Sequence, residues 1–167
     1  MRNVLIALLF ILAFVIQSTL FRFIGIYGIK PDLMLILVIS FALLDGGIEG
    51  AILGLFAGFL QDVFFSPGIG MTMIPYFISG LFAGYYNNHV FREKTLTAFV
   101  FTLLYSLLFN LTMTLEILIV KHSISVIASI QNILISTLFN CAITLFLYRY
   151  IVRLSHARLM KKNRILR

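Results

Sequence analysis

The sequence predicts an all-α integral membrane protein, a compact bundle of about six transmembrane helices. Three observations carry that fold class. First, 61% of the 167 residues are hydrophobic and 11% are charged, with a mean hydropathy of +1.06. Soluble domains carry about 25% charged residues, and a chain this short cannot bury such an excess of apolar surface inside itself. Second, apolar runs recur along the whole length, so one buried core helix does not account for them. Third, the basic residues divide unevenly between the loops that such helices would leave.

The first run, residues 4–21, follows Arg2 and passes through Gln17 without an A-x-A-like site, so it reads as an uncleaved membrane anchor rather than a signal peptide. The second, residues 33–44, is the shortest. Its uncharged stretch between Asp32 and Asp45 covers about 18 Å at ~1.5 Å per residue. Either those two acids sit in headgroups over a thinned bilayer, or the second and third segments form a re-entrant pair. Gly46-Gly47 marks the turn between them. The third run, residues 48–65, is marginal in length. The fourth (70 to about 88), fifth (95–120) and sixth (124–148) are long enough to span. Residues 1–150 read as a single polytopic membrane domain, and 151–167 as a basic cytoplasmic tail bearing Arg153, Arg158, Lys161, Lys162, Arg164 and Arg167.

With six crossings and a cytoplasmic N-terminus, ten Lys and Arg residues fall inside and three, Arg22, Lys30 and Lys121, fall outside. That bias obeys the positive-inside rule with both termini in the cytoplasm. Removing the second and third segments as a pair leaves it unchanged, so charge alone fits four crossings too. The tail accounts for most of the net charge of +7. It suits a topology signal and attraction to anionic lipid, and a cytoplasmic partner can also dock there. No aromatic-basic module marks nucleic-acid binding.

Glycines recur at a spacing of four: Gly46, Gly50, Gly54 and Gly58, with Asp62 continuing the series. Residues four apart share a helix face. In lipid, where apolar side chains gain nothing from each other that lipid does not offer, a smooth face lets a second helix approach closely. The fourth segment offers Gly80 and Gly84, beside Ser79 and Ala83. The groove therefore receives either the fourth segment or a helix from another protein. Asp62 lies near the end of its helix, where it accepts hydrogen bonds from the following turn or from the start of the fourth segment, or meets a partner. Gln17, Asn110, Glu116, Gln131, Asn132 and Asn140 fall within apolar runs and suit interhelical hydrogen bonds, though Glu116, close before Lys121, is explained by snorkelling toward the outer surface. Asp45 and Glu49 are expected to face cytoplasmic water.

Catalysis is not indicated. His89, His122 and His156 sit at loop or tail positions, with no serine placed for a triad, and no phosphate-binding loop is present. No cofactor and no metal site is expected. Cys141 stands alone in the sixth run and reads as a small buried apolar side chain.

Residues 30–37, "KPDLMLIL", then "GAILGLFAGFLQDVFFSPGIGM", then "FISGLFAGYY", resemble the MreD family of bacterial rod shape-determining proteins. The family pattern falls on Pro31, Asp32, Gly54, Gly58, Phe59, Asp62, Gly70, Gly84 and Tyr85. The resemblance implies a multi-pass protein of the bacterial cytoplasmic membrane in the complex that directs lateral wall synthesis. It implies as partners MreC, with its single membrane helix, the synthase RodA with its penicillin-binding transpeptidase, and the filament MreB. Size and six-helix layout are also similar to the substrate-binding subunits of energy-coupling-factor transporters. Those subunits dock through an alanine pair four apart on the first helix, whereas here Ala7 and Ala13 are six apart.

Overall fold

The computed structural model describes residues 2–19, 31–66, 68, 70–86, 95–121 and 126–156. Those residues form six α-helices: α1 (Arg2–Thr19), α2 (Leu33–Asp45), α3 (Gly47–Phe65), α4 (Met73–Tyr85), α5 (Thr95–Lys121) and α6 (Val126–His156). No strand occurs among them. Four of the helices, α1, α3, α5 and α6, are long and apolar enough to cross a membrane. The other two, α2 and α4, have 13 residues each.

The lengths depart from the expected ones in an informative way. The third run is a full 19-residue helix. The fourth is shorter than expected because its first residues are spent in a turn, with Gly70 at φ 109° and hydrogen bonds from that turn to Asp62. At the other end α6 runs on past Tyr148 to His156, so Arg149 and Arg153 are helical and exposed.

The short second segment has protein around it in place of lipid. α2 lies at the centre of the bundle and packs on all five other helices. Every residue from Leu33 to Leu43 is buried. A helix enclosed by protein does not have to match the thickness of lipid, so 13 residues suffice. Its apolar composition on all sides has the same cause. Asp32 is enclosed by protein as well. It caps α2, accepting from the Leu35 N–H at 3.1 Å, and is buried. At the other end Asp45 forms an ion pair with Arg2, which clips the start of α1 to the end of α2 and takes Asp45 out of the free solvent-facing role expected for it.

Around α2 the remaining helices pair as α3 with α4 and α5 with α6. The outermost helix, α1, is joined to α2 and α3 through aromatic contacts, Phe10 with Phe41 and Phe56, and Phe14 with Phe64 and Phe65. Gln17, near its far end, accepts from the Met34 N–H at 3.3 Å.

Candidate functional site

The glycine face packs on α4 of the same chain. A Cβ added at Gly50 would run into the Gly80 carbonyl and Ala42, one at Gly54 into the Tyr76 carbonyl, and one at Gly58 into the Met73 backbone. From the facing side, Gly80 meets the Gly50 carbonyl and Gly84 meets the backbone of Gly46 and Gly47. These approaches are closer than 3.0 Å, a separation that real Cβ atoms essentially never show. The two backbones therefore touch along the whole of α4. Gly46 has a second requirement, since at φ 114° it turns the chain from α2 into α3.

Asp62 closes the upper end of this seam. Its carboxylate accepts from the Gly70 N–H at 2.6 Å, the Thr72 N–H at 2.8 Å, the Thr72 hydroxyl at 2.6 Å and the Met73 N–H at 3.1 Å. The first donors of α4 have no partners within their own helix, and the cap residue Thr72 makes no side-chain cap of its own. A carboxylate borrowed from the preceding helix does that work. Thr72 completes the clasp by also donating to the Gly58 carbonyl at 3.2 Å.

A second polar cluster links the centre of the bundle. The Tyr76 hydroxyl donates to the Asp32 carboxylate and accepts from the Gln61 amide at 3.1 Å. The Asp32 N–H donates to Asn140 at 2.7 Å, and Asn140 donates to the Ser106 hydroxyl at 2.8 Å. Residues of α3, α4, α5 and α6 thus meet at the N-terminus of α2. Two further rungs join α5 to α6: Thr144 to Thr102 at 3.2 Å, and Asn110 to Ser136 at 3.3 Å. The rungs 102/144, 106/140 and 110/136 advance by four residues on each helix, so they form one antiparallel polar ladder.

Residues 1–154 match the family model described as rod shape-determining protein MreD. The chain belongs to the MreD family. A search of the curated proteins and a search of the solved structures each returned no match, so the likeness to transporter subunits gains no support from them. Membership of the MreD family gives the chain a role in rod shape determination, within a structural rather than a known enzyme family. Four long apolar helices in a membrane family make it an integral membrane protein.

In this MreD-family chain seven of the nine motif positions divide between two places, while Phe59 and Tyr85 are exposed on α3 and α4. Gly54, Gly58, Gly84, Asp62 and Gly70 belong to the α3–α4 seam and its clasp, and Pro31 and Asp32 to the start of α2. Tyr76 bridges the two, because its backbone abuts Gly54 while its hydroxyl binds Asp32. Tyr76, Gln61 and the Ser/Thr members of the ladder were not singled out from sequence. A four-residue recurrence of Thr102, Ser106 and Asn110 and of Ser136, Asn140 and Thr144 was the available signal for the ladder. Tyr76 had none.

Gln131 and Asn132 are exposed on α6 and join no interhelical bond that the ladder provides. The side chain of Glu116, the residues Arg22, Lys30, His89 and His122, and the tail residues Arg158, Lys161, Lys162, Arg164 and Arg167 lie outside the described residues. Among the described residues no three His, Cys, Asp or Glu side chains converge as a metal site would require.

Proposed function

We propose that this chain is a non-enzymatic scaffold of the complex that builds the lateral cell wall, set in the bacterial cytoplasmic membrane with both termini in the cytoplasm. The match of residues 1–154 to the MreD family carries the reading. In it the chain binds the membrane helix of MreC, gathers RodA and its penicillin-binding transpeptidase, and connects indirectly to MreB. The basic tail marks the cytoplasmic side.

Packing favours contact on the outer faces of the bundle. The glycine seam is closed by α4 and leaves no groove for a partner. The halves of α5 and α6 beside their connection differ: no described side chain of α5 beyond Ser106 is buried, and none of α6 before Ser136. Lipid covers the leucines of that surface, but it offers no hydrogen bond to the amides of Gln131 and Asn132. A partner helix with a polar side chain does. The proposal sets the MreC helix along this face.

The test is crosslinking and purification of the tagged chain from its own cells, with mass spectrometry of what accompanies it. MreC and the wall-synthesis enzymes are expected. Replacing Gln131 and Asn132 together with leucine should lower MreC recovery, roughly threefold for each interhelical hydrogen bond lost. Undiminished recovery would move the partner helix to another face. Recovery of an ATP-driven transporter module in place of MreC would instead make the chain a solute-binding subunit, the alternative that its size and helix layout raise.

A further inference from the structure

The C-terminal end of α6 carries a patch that neither the seam nor the ladder uses. Phe146, Arg149, Tyr150 and Arg153 stand at positions i, i+3, i+4 and i+7 of one helix, so they share one face. All four are exposed, Phe146 at 79% and Tyr150 at 63%. Neither arginine has a carboxylate partner among the described residues, where the one ion pair is Arg2 with Asp45.

Depth gives this face its meaning. The uncharged part of α6, residues 126–148, is about 34 Å long at ~1.5 Å per residue, close to the ~30 Å of a bilayer's hydrocarbon core. Arg149 therefore emerges where acyl chains give way to headgroups, and Arg153 lies one turn further out. Phe146 is a turn deeper, against acyl chains. Tyr150 sits at the interface that amphipathic rings favour. A guanidinium binds a phosphate through two parallel N–H donors, and two of them one turn apart can hold one headgroup from both sides.

We infer that this face of α6 is a binding site for an anionic phospholipid, with Arg149 and Arg153 on the headgroup phosphate, Tyr150 beside it and Phe146 against an acyl chain. Along the helix Phe146 lies on the acyl side of both arginines, and Tyr150 lies between them. An acidic segment of a cytoplasmic protein would match the arginines, but it would not account for Phe146, which lies on the hydrocarbon side of them. The inference rests on the length, sequence and exposure of α6 and does not depend on the scaffold reading.

The experiment is native mass spectrometry of the detergent-purified chain with added cardiolipin or phosphatidylglycerol, against phosphatidylcholine of matched acyl chains. The chain is expected to retain the anionic lipids selectively. The double variant Arg149→Gln/Arg153→Gln should reduce that retention by roughly 30-fold, from the usual contribution of a basic residue at a membrane surface. Arg149→Lys/Arg153→Lys, which keeps the charge but not the planar fork, should lose less. All these side chains are exposed, so thermal unfolding of the variants should match the parent chain. Equal retention of phosphatidylcholine, or unchanged retention in the glutamine variant, overturns the site. So does displacement of the bound lipid by soluble polyglutamate at equal charge, which would make the patch a protein-docking surface.

Discussion

Asp62 holds together a turn that has little else to hold it. Two backbone donors of the turn, the Met73 N–H and the Thr72 hydroxyl converge on its two oxygens. Asp62→Ala would leave the three N–H donors without this acceptor in a buried or half-buried place, and the Thr72 hydroxyl with only the Gly58 carbonyl. An orphaned buried donor costs about 1–3 kcal/mol, though water entering the gap reduces the sum. The variant is expected to lose at least ~3 kcal/mol of stability, read as a clear fall in unfolding temperature in detergent. Asp62→Asn keeps one acceptor oxygen and should lose less. An alanine variant as stable as the parent would mean that the turn is held by something other than this carboxylate. The setting of Asp62 was legible in the sequence, because a carboxylate a turn from a helix end and followed by a glycine-bearing turn has its donors close by. Tyr76 was not legible. Its partner Asp32 is 44 residues away, and an aromatic residue in an apolar run gives no sign of where its hydroxyl goes.

At the scale of elements, the seam and the turn make opposite demands on glycine. At Gly54 the requirement is space, since a Cβ would meet the Tyr76 backbone, which cannot swing aside as a side chain can. At Gly68 a Cβ would have only the Met71 sulfur nearby, at 3.9 Å. Gly54→Ala is therefore expected to separate α3 from α4 and lower stability by roughly 1–3 kcal/mol, the usual cost of overpacking. Gly68→Ala is expected to be neutral or slightly stabilising, because alanine restricts the unfolded chain. Thermal unfolding of the two variants side by side checks both, and equal losses would refute the distinction. The four-residue recurrence of glycine made a close approach legible. Its occupant was not, since a groove in one segment fits a neighbour and a stranger equally well. Element lengths failed for a related reason. The rule that a span needs about 20 residues assumes lipid on the outside, and α2 has protein there.

For the whole molecule, the arrangement can be tested by chemistry from each side of the membrane. The native thiol, Cys141, is buried, so it gives little background. Single cysteines placed at Lys162 and at Gly68 should label from opposite sides, Lys162→Cys in inverted vesicles and Gly68→Cys in intact cells stripped of their outer layers. Labelling of both from one side would refute the six-crossing arrangement with a cytoplasmic tail. The class of the fold was plain from composition, because no packing of so apolar a chain in water is possible. Which helix would stand in the middle was hidden, because a segment apolar on all sides suits a lipid-facing place as well as an enclosed one, and only the contacts tell the centre from the rim.

The central place of α2 bears on how the protein is made. α2 leaves the ribosome before α3, α4, α5 and α6, the four helices that cover most of it. Until Tyr76 arrives, the carboxylate of Asp32 lacks its hydroxyl donor, and until Asn140 arrives its N–H lacks an acceptor. During synthesis a 13-residue helix must wait, half dressed, beside α1, with the Arg2–Asp45 pair as its early tether. The bundle closes only when α6 is delivered. A chain halted before Asn140 would then be an open intermediate, for the insertion machinery to hold or the membrane proteases to remove.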